Sequence, residues 1–520
     1  MYSQVNTAII QGIESQPVLV EADVSDGMPV FEMVGFLSAE VKEARERVRT
    51  ALRNIGIRLP IKRITVNISP ASIRKSGTGF DLPVALAILV AIGIIDPKRL
   101  RGLITVGELG LDGKINPVRG VLPIVMAAQE AGLTCAMIPE GNRKEAALTD
   151  GLKLVPVAHL EDVISYLGGS CAGRQKAEAE ERRPGAGRPA RRIREREEKT
   201  NDFKYIRGQK SLRRACEIAV SGRHNLLMIG PPGAGKTMLA KAIPSILPPM
   251  TREEEVELSK IYSVSGLLAD RGQLMQERPF RAPHHTISPA GLAGGGLIPR
   301  PGEISLANGG VLFLDELPEF DRSTIEILRQ PMEEGRVRIV RQQADVEYPA
   351  DFILVAAMNP CPCGYFPDPK RCRCRPWQVR DYLGKISKPL LDRIDLCASA
   401  SPLSFDELVL EGEAESSACI RERVLKTRRI QEKRFAGSGI SCNGQIPAKA
   451  LRTYCSLGGE EEDYLRLCFD KLGLTARGYV RLLRVARTIA DMEASGEIKK
   501  RHLQEARIYH GLAPEYGTDL

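Results

Sequence analysis

The first 168 residues alternate short apolar runs with longer stretches in which apolar residues recur every three or four positions. The longer stretches include Ala39–Ile55 and Pro117–Ala131, whose spacing is typical of helices that bury one side. The short runs are rich in aliphatic residues and predict strands at Ile64–Ile68, Leu103–Val106, Cys135–Ile138 and Leu154–Val157. Strands that alternate with helices predict an α/β or α+β domain over residues 1–168.

The longest unbroken apolar run is Leu82–Ile95, 14 residues between Asp81 and Asp96. A membrane-spanning helix needs about 20 apolar residues, so this run predicts a buried helix and no membrane segment. The N-terminus, Met1–Ser15, has no basic stretch followed by a hydrophobic one, so no secretory signal is predicted. We therefore expect a cytoplasmic protein.

Residues 169–202 are predicted to form a charged flexible linker. Positions 171–200 hold ten Lys or Arg, six Asp or Glu and almost no large apolar residues. A segment of this composition cannot bury a core of its own. The alternative is a basic arm that contacts nucleic acid, because basic residues outnumber acidic ones.

The remainder of the chain divides into two further blocks. Residues 203–401 read as strand–loop–helix units, and residues 402–520 have helical spacing throughout. The helices predicted in the last block are Phe405–Glu413, Ser417–Phe435, Ala448–Cys455, Gly459–Leu472, Ala476–Gly496 and Lys499–Tyr509.

The overall composition narrows the class of protein. Hydrophobic residues make up 43% and charged residues 27% of the 520 positions, as in soluble globular proteins. A formal net charge of +9 is compatible with a nucleic acid or another polyanion as partner, but does not establish one. Twelve cysteines are too few for a disulfide scaffold in a chain of this length.

A glycine-rich segment carries the strongest chemical signal. It follows the apolar run Leu226–Ile229 and precedes a helical stretch that starts near Met238. In such a setting, successive backbone N–H groups turn inward around a phosphate at a helix N-terminus. The pattern predicts ATP binding with Lys236 on the β- and γ-phosphates and the Thr237 hydroxyl on Mg²⁺. The whole segment is Gly230, Pro231, Pro232, Gly233, Ala234, Gly235, Lys236 and Thr237.

Two later apolar strands end in polar residues that suit nucleotide hydrolysis. Gly310–Leu314 runs into Asp315 and Glu316, which are suited to hold the Mg²⁺ shell and to polarise an attacking water, respectively. Phe352–Met358 ends at Asn359, whose amide is predicted to contact the γ-phosphate or that water. The alternative for the acidic pair is a simple helix N-cap.

Four cysteines lie within fourteen positions directly after Asn359 and Pro360. They form two Cys-x-Cys pairs separated by eight residues, among which glycine and proline turn the chain. Four thiolates can close a tetrahedral structural Zn²⁺ site, and the alternative is a loop of reduced, unliganded thiols. The four candidate zinc ligands are Cys361, Cys363, Cys372 and Cys374.

Taken together, these motifs resemble the AAA+ ATPases and, more closely, their Mg-chelatase branch. The closer resemblance rests on Arg281–His285, Gly302–Glu316, Pro389–Leu396 and Ala476–Ala490. In this pattern the chain resembles the YifB/ComM subfamily of Mg-chelatase-like proteins over nearly its whole length. The resemblance implies a P-loop ATPase core over residues 203–401, a C-terminal helical lid over residues 402–520, and assembly into a hexameric ring.

The resemblance also implies roles for further residues. Gly208 and Gln209 would lie near the adenine, and Asn359 would be sensor 1. Arg393 would be the arginine finger that reaches the nucleotide of the neighbouring subunit; from the residues alone, pairing with Asp392 or Asp395 is the alternative. Arg477 would be sensor 2 from the helical lid, and other arginines on nearby turns could replace it: Arg481, Arg484 and Arg487.

The N-terminal block resembles the Lon protease domain. Lys75–Pro83 corresponds to the segment in which Lon proteases carry their nucleophilic serine, and Pro117–Leu122 to the segment of the catalytic lysine. In this chain those two positions are Gly79 and Leu122, so neither the nucleophile nor its base is present. The resemblance therefore implies a protease-like fold, without the catalytic dyad, that serves interaction or ring organisation.

Candidate DNA contacts lie in two segments. Gly335–Pro349 alternates like a hairpin, with Arg341, Gln342 and Gln343 toward its tip, and the resemblance implies that it points into a ring pore. Arg281–His285 belongs to the other candidate pore element. The alternative is an exposed polar hairpin.

The resulting prediction is an ATP-hydrolysing ring motor on DNA, acting as a helicase or in branch migration during natural transformation or recombination. The alternatives are a chelatase-like ATPase that remodels a protein partner, a Lon-like ATP-dependent protease, which the missing dyad disfavours, and a nucleotide-gated scaffold.

Overall fold

A computed structural model of the chain describes residues 1–168, 201–268, 272–296, 298–341, 344–400 and 414–511. Three predictions lie wholly or mainly outside the described residues: the linker 169–202 (apart from Asn201 and Asp202), the helix Phe405–Glu413, and the contacts of Gln342 and Gln343. Among the described residues, no helix is long and apolar enough to cross a membrane.

Residues 1–168 form a mixed α/β unit, as the sequence pattern indicated. Its helices are α1 Ala39–Asn54, α2 Asp81–Ala91, α3 Val121–Glu130, α4 Arg143–Ala146 and α5 Leu160–Tyr166. Its strands are β1 Tyr2–Gln11, β2 Glu14–Ser25, β3 Phe31–Val34, β4 Arg63–Ser69, β5 Leu103–Thr105, β6 Glu108–Leu109, β7 Ile115–Asn116, β8 Cys135–Pro139 and β9 Lys153–Val157. Seven of these strands form one sheet in the order β3-β4-β2-β1-β5-β8-β9.

The buried helix predicted from the apolar run is confirmed but ends early. Every residue of α2 is buried, and the helix stops at Ala91. Gly93, two residues further on, has a φ of +81°, a left-handed conformation that breaks the helix and that glycine adopts without a steric penalty. The antiparallel pair β1 and β2, by contrast, was not predicted, although its register joins ten consecutive residues of each strand.

Residues 201–400 form a second α/β unit, built around another sheet. Its helices are α6 Lys210–Gly222, α7 Lys236–Ala242, α8 Arg252–Ser265, α9 Pro289–Ala293, α10 Glu303–Leu306, α11 Arg322–Glu326, α12 Arg329–Glu334, α13 Pro376–Leu383 and α14 Lys388–Leu391. Its strands are β10 Leu226–Ile229, β11 Phe280–Arg281, β12 Gly294–Gly295, β13 Arg300–Pro301, β14 Val311–Leu314, β15 Arg336–Arg341, β16 Ala344–Pro349, β17 Ile353–Met358 and β18 Leu396–Ser399.

Five of these strands form an all-parallel sheet in the order β11-β14-β17-β10-β18. Because they are parallel, their carboxyl ends meet at one edge. The loop after β10 therefore lies beside the end of β17, which in turn lies beside the end of β14. This order brings together three segments that are far apart in the sequence.

The last described segment is helical. It consists of α15 Ser417–Phe435, α16 Leu451–Tyr454, α17 Gly459–Leu472, α18 Ala476–Met492 and α19 Lys500–Ile508. The bounds of α15 and α17 are those predicted, whereas α18 stops four residues before Gly496. The predicted helix Ala448–Cys455 is a short 3₁₀ turn at Ala448–Ala450 followed by α16.

Both faces of the parallel sheet are covered, and alternate residues of β10 show which core lies on each side. Leu226 and Met228 belong to a core that includes the C-terminal helices. Leu227 and Ile229 face a second core, which also contains Ile13 and Leu122 from the first 168 residues. A strand buried on both faces reads as a continuous apolar run rather than an alternating one, which explains why β10 was visible in the sequence.

The N-terminal unit is joined to this sheet domain by buried polar contacts as well. The carboxylate of Glu145 accepts hydrogen bonds from the Ser263 hydroxyl (2.5 Å) and from the Leu122 backbone N–H (3.1 Å). The backbone N–H of Gly120 donates to the Ser263 carbonyl (3.2 Å). These bonds fix α8 against the start of α3.

Candidate functional site

The glycine-rich loop leaves β10 and leads directly into α7. Gly230 is packed so closely that a Cβ there would lie 2.5 Å from the Cβ of Ala400. Gly233 and Gly235 have φ angles of +78° and +83°, and a Cβ on either would meet no atom within 4 Å. The loop is thus tightly packed at Gly230 and open at Gly233 and Gly235, which leaves room for an anion beside the backbone N–H groups.

Lys236 is the first residue of α7, and its side chain is turned toward its own loop. The ammonium donates to the carbonyl oxygens of Gly230 (2.6 Å) and Pro231 (3.0 Å) and to Oδ1 of Asn359 (3.2 Å). Burial lowers the pKa of Lys236, while the nearby carboxylates of Asp315 and Glu316 raise it in part. An incoming polyphosphate would add the negative charge that this buried cation lacks.

Asp315 follows β14 and is held from two sides. Its Oδ2 accepts the Thr237 hydroxyl (2.8 Å), and its Oδ1 accepts the backbone N–H of Glu316 (3.0 Å). A hydroxyl beside a fixed carboxylate offers the hard oxygen ligands that Mg²⁺ takes alongside water and phosphate. The residues present therefore suit Mg²⁺ bound together with a nucleotide.

Glu316 directly follows Asp315 and has an exposed side chain. Its φ is +52°, a left-handed conformation that is uncommon for a residue with a side chain, and the side chain is 58% exposed. Nδ1 of His285 lies 3.8 Å from Oε2 of Glu316, and the His285 ring contacts the His284 ring at a tilt of 34°, with centroids 4.1 Å apart. The sequence reasoning missed the proximity of His285 to Glu316, because β11 becomes a neighbour of β14 only through the sheet order.

Gly208 and Gln209, predicted near the adenine, form the turn before α6. Both have positive φ angles, +62° and +51°, and Gln209 occupies the N-cap position of α6. The guanidinium of Arg213, one turn into α6, donates to the Ile206 carbonyl (2.9 Å) and so ties the segment to the helix.

Arg393 and Arg477 lie toward the opposite end of the sheet, where the parallel strands begin. The Arg393 carbonyl accepts from the Asn225 side chain (3.1 Å), and Asn225 precedes the first residue of β10. The four-residue strand β10 separates this edge from the glycine-rich loop by about 13 Å. Arg393 is therefore not assembled with Lys236 within one chain.

Both arginines converge on one carboxylate. Nη2 of Arg393 lies 2.6 Å from Oε1 of Glu333, and Nη2 of Arg477 lies 3.6 Å from the same oxygen. The expected partners of Arg393, Asp392 and Asp395, are thus not the ones it contacts most closely. All three side chains line a cavity of about 770 Å³ on this face.

The alternative sensor arginines are engaged in internal contacts. Arg481 donates to the carbonyl oxygens of Leu391 and Ile394, and Arg487 pairs with Asp491. Arg484 donates to the Ile446 carbonyl. Of the four arginines Arg477, Arg481, Arg484 and Arg487 on α18, Arg477 is the most exposed. Its side chain is 55% exposed.

The four cysteines form a compact cluster. Their sulfur atoms all lie within 4.8 Å of one another and could hold a metal ion. The separations are 3.3 Å for Cys361 and Cys363, 3.9 Å for Cys361 and Cys372, and 3.7 Å for Cys363 and Cys372. Partial burial raises the pKa of Cys363, but the backbone N–H groups of Arg373 and Tyr365 bring it down to about 6.

The cysteine loop also touches the glycine-rich loop. A Cβ built on Gly364, whose φ is +84°, would lie 2.6 Å from Cδ of Pro232. Cys361 itself is buried and comes two residues after Asn359. The loop that holds the cluster is therefore packed on one side of the candidate nucleotide site.

The two positions predicted to correspond to the Lon dyad, Gly79 and Leu122, are surrounded by apolar atoms. A Cβ on Gly79 would lie 3.0 Å from a methyl group of Val106 and 3.9 Å from one of Val118. Leu122 is 1% exposed and lies in the core shared with the second sheet domain.

The arginines in the candidate DNA-contacting segments differ in whether their charge is paired with a carboxylate of the same chain. The predicted hairpin is present as β15 and β16, with Arg336 paired to Glu347 and Arg338 to Asp345 across the strands. Arg281 makes a two-pronged ion pair with Glu303, with both contacts at 2.6 Å, so its charge is already balanced. Arg341 is exposed at the described end of β15.

Comparison with known proteins agrees with the motifs. Residues 202–408 match the family model described as magnesium chelatase, subunit ChlI, residues 20–142 match subunit ChlI of Mg-chelatase, and residues 414–510 match magnesium chelatase, subunit ChlI C-terminal. The chain is 25% identical to a Lon protease of Mycolicibacterium smegmatis over 168 residues, which cover 30% of this chain and 21% of the protease.

Two relatives match along nearly their whole length. The competence protein ComM of Haemophilus influenzae is 41% identical over 506 residues, 96% of each chain. The uncharacterized protein YifB of Salmonella typhimurium is 39% identical over 511 residues, 98% of this chain and 97% of that protein. The chain therefore belongs to the YifB/ComM subfamily of Mg-chelatase-like AAA+ proteins, a family whose members are ATPases.

Proposed function

We propose that this protein is an ATP-hydrolysing ring motor that acts on DNA, as a helicase or in branch migration. The observation that carries the proposal is that the glycine-rich loop and Asp315, Glu316 and Asn359 meet at one sheet edge, while Arg393 lies at the other. One chain thus holds most of an ATPase site but keeps its arginine at the opposite end of the sheet, so that the arginine would act on a nucleotide held by a second copy.

Each residue of the site has a definable role in hydrolysis. The backbone N–H groups from Gly233 to Thr237 hold the phosphates, and Lys236 leaves its loop carbonyls to neutralise the β- and γ-phosphates. The exposed Glu316 orients and polarises the attacking water, and Asn359 holds that water or the γ-phosphate. Thr237 and Asp315 would hold Mg²⁺, which supplies charge neutralisation of the phosphates when bound. Gly208 and Gln209 bind on the adenine side.

The site is completed by a neighbour in a closed ring. Arg393, with Arg477 beside it as sensor 2, meets the γ-phosphate bound by the next subunit. An arginine supplied in this way accelerates related NTPases by about 10³–10⁵. A head-to-tail contact of this kind closes into a ring when the rotation fits. We propose a hexamer.

DNA is the proposed substrate of the movement. The chain has a net charge of +9, and the exposed Arg341 lies toward the end of the hairpin formed by β15 and β16. Contacts to phosphates would hold DNA in the pore without reading its sequence. The relative from Haemophilus influenzae is named a competence protein, which supports a process that handles incoming DNA, such as natural transformation or recombination.

The domain division follows from the same proposal. Residues 1–168 are a Lon-protease-like unit without the catalytic dyad, residues 169–202 a linker, residues 203–401 the ATPase core, and residues 402–520 the helical lid. The first unit organises the ring. It is attached to the ATPase core through Leu122, which corresponds to the position of the Lon lysine and packs into the core that the two units share. The protein works in the cytoplasm.

The cysteine cluster is a structural zinc site in this proposal. Zn–S bonds of about 2.3 Å place the corners of a tetrahedron about 3.8 Å apart. The separations among the sulfurs of Cys361, Cys363 and Cys372, at 3.3, 3.7 and 3.9 Å, bracket that value, and all four sulfurs lie within 4.8 Å of one another. An iron–sulfur cluster, which holds several irons and sulfides between its thiolates, would need more space.

A test must separate the motor from its alternatives. ATP hydrolysis is measured with the purified full chain, without DNA and with single-stranded, duplex or three-stranded DNA. Stimulation by DNA supports the motor. Hydrolysis that no DNA changes favours a chelatase-like ATPase that remodels a protein partner, and ATP-dependent cleavage of casein would support a protease.

A further inference from the structure

Glu333 is the point where the two arginines of the outer sheet edge meet. Its Oε1 accepts Nη2 of Arg393 at 2.6 Å and lies 3.6 Å from Nη2 of Arg477. The Arg393 side chain is only 10% exposed, whereas that of Arg477 is 55% exposed. One carboxylate thus neutralises both cations that the proposed function assigns to the neighbouring nucleotide.

The Arg393 guanidinium is fixed in place, but not all of its N–H donors make hydrogen bonds. Its Nη1 donates to the Pro389 carbonyl (2.7 Å), and its Nε is buried without a hydrogen-bond partner among the described residues. A guanidinium offers five N–H donors, and a phosphate can accept two of them side by side. The pair with Glu333 is therefore a resting arrangement that a phosphate can replace.

Glu333 also lies on the segment that leads directly into the hairpin. It lies on α12, whose end at Gly335 is closed by a hydrogen bond from the Gly335 N–H to the Pro331 carbonyl (2.9 Å). β15 begins at the next residue, and the Ala350 N–H donates to the Gly335 carbonyl (2.8 Å), which closes the base of the hairpin. Only two residues lie between Glu333, whose carboxylate holds Arg393, and Arg336, the first residue of the hairpin.

The hairpin has one packed face and one exposed face. Val337, Ile339 and Tyr348 are buried, whereas Arg336, Arg338 and Arg341 are exposed. A load on the exposed face would be passed along the chain to α12, which leads directly into β15. The side chain of Glu333 would then shift relative to Arg393, whose backbone carbonyl accepts a hydrogen bond from Asn225 at the start of β10.

We propose that Glu333 is a positioning residue that withholds Arg393 and Arg477 from the neighbouring nucleotide until DNA loads the hairpin. This inference rests on the proposed function, because it needs a ring in which Arg393 acts on the next subunit. It adds the route by which the DNA-contacting hairpin controls hydrolysis. It also assigns a role to a residue that no sequence motif singled out.

The chain offers a matched control at the next position. Oε2 of Glu334 accepts the Gln330 side chain (2.9 Å) and makes no ion pair with either arginine. Glu333→Gln and Glu334→Gln therefore make the same change of charge on the same helix. Steady-state ATP hydrolysis is measured for both variants and the unmodified chain, with and without DNA, and thermal unfolding is followed in parallel.

We expect Glu333→Gln to raise kcat without DNA by roughly threefold, the size of a partly exposed ion pair. Its KM for ATP, its DNA-stimulated rate and its melting temperature should stay unchanged, and Glu334→Gln should behave like the unmodified chain. A role in folding alone would lower the melting temperature without raising kcat.

The outcomes separate this inference from the proposed function. If the unmodified chain is stimulated by DNA and Glu333→Gln keeps the same ratio of stimulated to basal rate, the inference is wrong and the motor stands. A lower basal rate in Glu333→Gln also overturns it, because Glu333 would then assist the arginines. An unmodified chain that no DNA stimulates contradicts the proposed function itself.

Discussion

The ammonium of Lys236 and the side-chain oxygen of Asn359 lie 3.2 Å apart, although 123 positions separate them in the chain. The contact exists because β10 and β17 are parallel neighbours whose carboxyl ends meet. It joins the phosphate-binding loop to the residue proposed to hold the γ-phosphate or the attacking water.

Binding and hydrolysis should separate between two variants. Lys236→Ala removes the cation proposed for the β- and γ-phosphates and should abolish measurable ATP binding. Glu316→Gln keeps every contact of the loop but cannot polarise water, so it should bind ATP normally and hydrolyse it about 10²–10⁴-fold more slowly. Binding is measured with a fluorescent ATP analogue and hydrolysis by phosphate release. Equal loss of binding in both variants would contradict these roles.

Arg393→Ala should lower hydrolysis by about 10³-fold or more while leaving ATP binding intact. The decisive measurement mixes this variant with Lys236→Ala, because each is inactive alone. In a mixed ring, some interfaces combine an intact Lys236 from one subunit with an intact Arg393 from the other. Recovery of hydrolysis on mixing is expected. No recovery, in a mixture shown to assemble, would mean that Arg393 does not act on a neighbour.

The cysteine cluster should hold one zinc ion per chain. Cys361→Ser with Cys363→Ser should abolish bound zinc, measured by elemental analysis of the purified protein. Cys419→Ser changes an exposed cysteine outside the cluster and serves as the control. Zinc-free but folded unmodified protein, or bound iron in place of zinc, would contradict the zinc assignment.

Gly364→Ala tests whether the cysteine loop supports the nucleotide site. The added methyl group would meet Pro232 at 2.6 Å, and the φ of +84° is unfavourable for alanine. All four thiols remain, so zinc content should be unchanged while ATP affinity falls. An unchanged affinity would show that the contact between the two loops is not needed.

The N-terminal unit should depend on its buried contact with the second sheet domain. Leu122→Ala removes a side chain that is 1% exposed and should cost about 2–5 kcal/mol of stability. Leu467→Ala, at an exposed position, should change stability by no more than about 0.5 kcal/mol. Chemical denaturation followed by circular dichroism checks both. Equal stability of the two variants would mean that Leu122 does not help to join the domains.

Local patterns were sufficient for much of this structure. The strand β10, the glycine-rich loop and Asp315 were found because a strand buried on both faces is a continuous apolar run followed by an abrupt change to polar residues. The bounds of α15 and α17 were also predicted. Helix ends were less certain, since single glycines such as Gly93 stop a helix that the apolar pattern would extend.

Other features depend on contacts between segments that are distant in the sequence, and no local pattern predicts such contacts. The proximity of His285 to Glu316 comes from the place of β11 beside β14. The ion pair between Glu333 and Arg393 joins α12 to the turn before β18. Arg281 was a candidate for the pore, but its charge is balanced by Glu303, which lies 22 positions further on.

The central claim is that ATP hydrolysis drives movement on DNA. The most direct measurement is the ATP hydrolysis rate of the purified chain with no DNA and with single-stranded, duplex and three-stranded DNA, beside Lys236→Ala and Glu316→Gln. We predict strong stimulation by DNA that both variants abolish. Robust hydrolysis that is the same with and without every DNA would contradict the claim and direct the search to a protein partner.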